Sequence, residues 1–217
     1  MSRYELIVFD WDGTLMDSAG AIVASLQAAC RDLGIAEPSD ARARHIIGLG
    51  LRDALASALP DLPEEQYRAL AERYRYHFLA GDSELEMFAG IPELVSGLSR
   101  AGRLLAVATG KTRKGLQRAL DSSGLQALFH ATRCADECHS KPHPQMLYEL
   151  MDELGVAPQL TLMIGDTTHD LLMARNAGVD ALAVTYGAHG RAELLAEAPL
   201  ACADSVVEMQ RWLDANA

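Results

Sequence analysis

The sequence predicts an α/β fold, an open parallel sheet flanked by helices, with a purely helical segment inserted after the first strand. Three observations carry this. Short apolar runs rich in Val, Ile and Leu recur along the chain, helical periodicity lies between them, and residues 18–82 hold helical periodicity only. Runs of this kind read as strands covered on both faces of a parallel sheet.

The first run spans residues 6–9 and ends at Asp10. Next come four helical patterns, at 21–33, 39–47, 51–59 and 64–79. Because they follow the first strand directly, they must leave the C-terminal edge of the sheet and return to it, through turns near 15–18 and 81–90. That places them as a lid. Beyond it, helices are expected at 91–101, 112–123, 143–154 and 168–177, and strands at 104–108, 160–164 and 181–184. Gly102, Gly124, Gly155 and Gly178 stand just past those helices, where a left-handed cap is expected. Alternation of this sort implies right-handed βαβ crossovers and a Rossmann-like core. We therefore expect a core of residues 1–17 and 83–217 and a helical cap of 18–82. A length of 217 residues suits one domain with an insertion.

Lys and Arg total 19 against 30 Asp and Glu, a net charge of −11. Such a field repels polyanions, so neither nucleic acid nor an anionic membrane is an expected partner. An anionic substrate would need a local device, a divalent cation with a placed lysine. No apolar run approaches the ~20 residues of a membrane span, and the first is too short for a signal-peptide core. A cytoplasmic location is expected. Cys30, Cys134, Cys138 and Cys202 read as buried thiols. Cys134, Cys138 and His139 hint at a zinc knuckle but lack a second ligand pair.

Ligands of open α/β sheets bind at the C-terminal ends of the strands, and there the sequence turns polar. Asp10, Asp12 and Gly13 follow the first run, Thr109, Gly110 and Lys111 the second, and Asp166, Thr167 and Asp170 the third. Residues i and i+2 of an extended strand share a face, so Asp10 and Asp12 are expected in one pocket with Trp11 turned away. A divalent cation, magnesium by preference, would relieve their repulsion with all-oxygen ligation; the same pair also suits an Asx-type turn before Gly13. Thr109 offers a hydroxyl beside a glycine that lets backbone approach an anion. Lys111 reads as a solvated charge. Lys141 lies before Pro142, which biases it toward extended backbone near the sheet edge. Asp166 and Asp170, four apart, can face one side of a helix start, or Asp166 or Thr167 can be its N-cap. In the helical segment, Gly48, Gly50 and Arg52 form a loop. Arg52 either meets a second anionic group or is a surface residue. His45, His77, His169 and His189 read as satisfied or solvated.

DWDGT at 10–14, ATG at 108–110, KPHP at 141–144 and GDTTHD at 165–170 resemble, in order, the four motifs of the haloacid dehalogenase superfamily. The likeness spans the whole core, and the helical insertion resembles the superfamily's α-helical cap; the phosphoglycolate-phosphatase type is the nearest subfamily. The resemblance implies a magnesium-dependent phosphatase of a small phosphorylated metabolite. It makes Asp10 the nucleophile and Asp12 the general acid and base. Asp10, the Asp12 carbonyl and Asp166 would hold magnesium with Asp170 in support, while Thr109, Gly110 and Lys141 donate to the phosphoryl oxygens. Asp12 argues against the dehalogenase branch. A sugar-phosphate mutase and a non-catalytic phosphate-binding or regulatory module remain the alternatives.

Overall fold

The computed structural model describes residues 3–217. Six strands, β1 (Leu6–Phe9), β2 (Leu104–Thr109), β3 (Ala131–Cys134), β4 (Thr161–Gly165), β5 (Asp180–Val184) and β6 (Ala201–Ala203), form one sheet. Their order is β3-β2-β1-β4-β5-β6, and every pairing is parallel. The order reverses between β1 and β4, a topological switch point that opens a crevice beyond the strand ends.

Period-two alternation explains the layers. Ile7, Phe9, Leu105, Val107 and Ile164 point to one face and pack beneath α5 (Ile91–Arg100), α6 (Arg113–Ser123) and α10 (Val206–Asn216). Leu6, Val8, Ala106, Ala108 and Met163 point to the other, against α7 (Gln145–Leu154), α8 (Thr168–Ala177) and α9 (Arg191–Ala196). Each fully buried Leu, Ile or Phe contributes about 1.5–3 kcal/mol through removal from water. Gly102, Gly124, Gly155 and Gly178 all have positive φ, as their places past the helices predict.

Two strands lie outside the apolar runs read above. The edge strand β3 carries half-buried Thr132 and Arg133 between its buried ends, and β6 has only three residues. Edge strands covered on one side lack the continuous apolar run that betrays a central one.

Residues of the insertion form α1 (Ala19–Asp32), α2 (Asp40–His45), α3 (Leu51–Ala58) and α4 (Tyr67–Gly81). Their apolar faces make a separate cluster around Leu26, Cys30, Leu55 and Leu70, which Ala188 of the sheet side joins. Departing and returning chain segments are paired. Asp17 donates to the Glu86 carbonyl (3.0 Å) and Phe88 to the Leu15 carbonyl (3.0 Å), around an antiparallel bridge of Met16 with Met87. Among the described residues, no helix is long and apolar enough to cross a membrane.

Candidate active site

The strand ends gather three carboxylates. Asp10 extends β1 by one residue, its N–H bonded to the Ile164 carbonyl (2.9 Å), and Asp166 follows β4 directly. Asp170 sits in the first turn of α8, held there by a capping box in which its N–H donates to the Thr167 hydroxyl oxygen (3.3 Å) and the Thr167 N–H to Asp170 Oδ2 (3.1 Å); the Thr167 hydroxyl also donates to Oδ2 (2.6 Å). All three are fully buried, and one oxygen from each lies within 4.8 Å of the others. Thr167, not Asp166, is therefore the N-cap, and Asp166 is free to face the crevice.

One lysine answers these charges. Lys141, fully buried along its side chain, places Nζ 2.8 Å from Asp10 Oδ1 and 2.6 Å from Asp170 Oδ1. Burial would lower its pKa, but the Asp10 and Asp170 charges override that and hold the ammonium above its ordinary range. Burial likewise pushes the Asp10 carboxyl well above the usual carboxylate range; Lys141 pulls it down, and Asp170 and Asp166 push it up. Asp166 rises to about 7, chiefly through burial and then through Asp170. Its oxygens accept the Thr14 hydroxyl (2.7 Å) and the Ala188 N–H (2.7 Å). Glycines make room for it: a Cβ would lie 2.1 Å from Asp166 Oδ2 at Gly13 and 2.3 Å from it at Gly187.

This cluster fits a divalent cation. Three buried carboxylates face one ammonium, and neither Asp10 oxygen has a hydrogen bond of good geometry. Burying such a charge is costly unless a further cation compensates. All-oxygen donors suit a hard ion such as magnesium.

The groups that press on Asp10 are Asp166 and Asp170, whereas the Asp12 carboxylate turns to the Ser18 hydroxyl (2.6 Å) and Lys111 Nζ (2.9 Å). Its side chain is outside the carboxylate cluster. Lys111 is accordingly not a solvated charge: it is nearly buried and lies over the Phe78 ring of α4, 5.0 Å from its centroid. Trp11, between the two aspartates, turns into the core against Phe129 as the alternation requires. Thr109 is buried, and its oxygen accepts the Lys111 N–H (3.2 Å), which leaves the hydroxyl proton to donate elsewhere.

The insertion closes on this edge. A Cβ on Gly110 would stand 2.5 Å from the Leu49 carbonyl oxygen, and one on Gly48, itself at φ 90°, 3.9 Å from Asp10 Oδ2. The Gly50 N–H donates to Ser140 Oγ (2.9 Å). The loop expected near the ligand is thus against the site, but Arg52 is not. Its side chain points to solvent and pairs with Glu64, because at the second position of α3 it lies opposite the buried face of Ala54 and Leu55. Between insertion and core remains a cavity of about 260 Å³, with Asp12, Gly110 and Lys111 on its core side.

Histidines seal the same junction. The rings of His169 and His189 donate from Nε2 to the His45 carbonyl (2.7 and 3.1 Å), and His45 stacks on His189 at 4.9 Å. Burial lowers the pKa of both donors. His77 pairs with Asp32 far from this edge. Of the cysteines, Cys30 and Cys134 are buried thiols; Cys138 and Cys202 are only half-buried, so that expectation fails for two.

Sequence reasoning did not single out Thr14, Ser18 or Gly187 as site residues. Thr14 stood inside the first motif, and Ser18 lies one turn further on the departing chain. No local signal marks Gly187, because its use depends on Asp166, which is distant in sequence.

A family described as haloacid dehalogenase-like hydrolase matches residues 7–184. The chain is 37% identical to the probable phosphatase IndB of Dickeya dadantii (strain 3937), over 94% of this chain and 91% of that one. It is 35% identical to a phosphoglycolate phosphatase of Agrobacterium fabrum (strain C58 / ATCC 33970), over 84% and 81%. The crystal structure of a predicted phosphatase from Clostridium acetobutylicum superposes with a TM-score of 0.87 at 26% identity, covering 99% of this chain and all of that one.

Proposed function

The chain belongs to the haloacid dehalogenase-like hydrolases, and on that premise we propose that it is a magnesium-dependent phosphatase of a small phosphorylated metabolite, a phosphomonoester of phosphoglycolate type. The observation that supports this best is the division of labour between the two aspartates. Asp10 is buried, its carboxylate paired with Lys141 and accepting no other well-formed hydrogen bond; Asp12 lines the cavity where a leaving group would sit.

In this reading Asp10 attacks phosphorus and forms an aspartyl-phosphate while the ester oxygen departs with a proton from Asp12. Asp12, now ionised, takes a proton from water, which attacks phosphorus and returns Asp10 as a carboxylate. Ser18 and Lys111 hold the Asp12 carboxylate in place through both halves. Lys141, the Thr109 hydroxyl and the Gly110 N–H donate to the phosphoryl oxygens, most strongly as charge gathers in the transition state. Magnesium held by Asp10, Asp166 and the Asp12 carbonyl, with Asp170 behind them, would supply neutralising charge between carboxylate and phosphoryl oxygens. Residues 18–82 serve as the cap that excludes bulk water.

Phosphate release from a panel of phosphomonoesters, with magnesium and with chelator, tests the reading. Acid quench of the enzyme with radiolabelled substrate should trap label on the protein, and Asp10→Asn should remove it. Release without any trapped label, or persisting in Asp10→Asn, rejects the covalent route.

A further inference from the structure

The cavity beside Asp12 is built for more than a two-carbon leaving group. Its volume of about 260 Å³ exceeds the roughly 150 Å³ in which an apolar cavity holds benzene. Hydrocarbon roofs it: Ile22 and Leu26 from α1, Ile46 and Ile47 after α2, Leu55 from α3 and Phe78 from α4. Neutral hydrogen-bonding side chains are scarce in the lining, being Tyr74 and Thr112. The Thr112 oxygen already accepts the Gly115 N–H as a helix cap (3.2 Å). Hydroxyls set against the hydrocarbon roof, away from the charged walls, would lose water there without regaining those bonds.

The walls also carry charge. Arg75, Lys111, Lys114 and Arg118 contribute to them. Lys111 is held by Asp12 (2.9 Å) and Arg118 by Asp82 (3.3 Å). Arg75 on the insertion and Lys114 on the core have no carboxylate partner among the described residues. Both are solvent-exposed residues at the cavity's open side, and in a chain of net charge −11 two such cations at one mouth favour an anion there.

We propose that the substrate is a phosphomonoester of an alcohol with an apolar body about the size of an aromatic ring and a second anionic group, such as a carboxylate, at the end away from phosphorus. This rests on the phosphatase reading and narrows it. The body fills the hydrocarbon roof while the distal anion meets Lys114 and Arg75. Phosphoglycolate brings the anion but a single methylene, so it leaves the roof unfilled.

Two measurements on the full chain keep the inference separable from the hydrolase reading. In calorimetry with the product alcohols, 4-(hydroxymethyl)benzoate should bind at least about tenfold tighter than glycolate, the discrimination that one or two apolar groups supply in a pocket. It should also bind tighter than benzyl alcohol, which lacks the anion. In magnesium-supported turnover, 4-carboxybenzyl phosphate should exceed both phosphoglycolate and benzyl phosphate in kcat/KM; all three are esters of primary alcohols, so leaving-group chemistry is matched. The exposed substitution Lys114→Gln should shrink the preference for 4-carboxybenzyl over benzyl phosphate severalfold. Glycolate binding as tightly as the aromatic acid, or phosphoglycolate turned over best, overturns the inference and leaves the phosphatase standing. Binding preference without phosphate release from any ester overturns the phosphatase reading and the substrate assignment with it, leaving only a ligand preference of the cavity. An unchanged preference in Lys114→Gln removes the anion-binding half.

Discussion

The floor and the roof of this site are made differently. Most of the floor's polar groups are assigned: Thr14 and Ala188 to Asp166, Thr167 to Asp170, and Lys141 to both Asp170 and Asp10. Asp10 alone lacks well-formed hydrogen bonds. The roof has hydrocarbon, a cavity of about 260 Å³ and two cations without a carboxylate partner among the described residues. A tightly satisfied polar network fixes one geometry, whereas apolar contacts tolerate exchange of one side chain for another of similar size. In the function proposed above, the sheet edge sets the reaction type and the insertion the choice of substrate.

The sharpest way to break this contrast is on the floor. Asp10→Asn should lower turnover by more than about 10⁴-fold, as removal of a nucleophile does, with circular dichroism unchanged; activity close to wild type would detach the reaction from this cluster. Asp12→Asn should cost about 10²–10⁴-fold, least for aryl phosphates, whose departing oxygen needs less help from an acid. Equal losses for aryl and alkyl esters would count against that role.

A third expectation concerns pH. In the metal-free protein Asp166 titrates near 7, above its ordinary 3.8. The folded state therefore holds a proton that the unfolded chain releases earlier, so this contribution to stability is complete below pH 3.8 and lost as pH rises through 7. A cation at the cluster competes with that proton. The rise in melting temperature on adding magnesium should be larger at about pH 8 than at about pH 6, with about 2.7 kcal/mol gained at a hundredfold excess over Kd. Equal increments at both pH values would mean that the ion binds elsewhere.

The smallest effect belongs to the surface of the roof. Arg52→Ala should change kcat/KM less than twofold and stability within about 0.5 kcal/mol, because its pairing with Glu64 is exposed to solvent. A large loss confined to one substrate would return Arg52 to the binding surface.

The floor was more legible in the sequence than the roof. Asp10, Thr109 and Asp166 end apolar strands, so their placement follows from chain direction alone, and Lys141 enters through the segment just before α7. Asp12 and Lys111 show the limit. Alternation put Asp12 on the side of Asp10 with Trp11 turned away, but the partners of its carboxylate, Ser18 and Lys111, depend on the turn in which Trp11 O accepts the N–H groups of Leu15 and Met16 and on the chain that follows it. Lys111 found a carboxylate and the Phe78 ring only because the insertion folds back over it. Arg75 and Lys114 lie inside helical patterns where nothing in the sequence singles them out; what unites them is a cavity between elements about forty residues apart.

The paired segments at Leu15–Asp17 and Glu86–Phe88 have a bearing on descent as well as on shape. Since the two ends of the insertion are neighbours on the sheet side, the core's contacts hold that gap at a fixed width whatever lies between. Lengthening or replacing the inserted chain then adds only slowly to the entropy of loop closure. Such a junction works as a socket. Lineages could exchange the helices it carries, and with them the alcohol that is recognised, while the strand register that aligns Asp10 with Asp166 stays untouched.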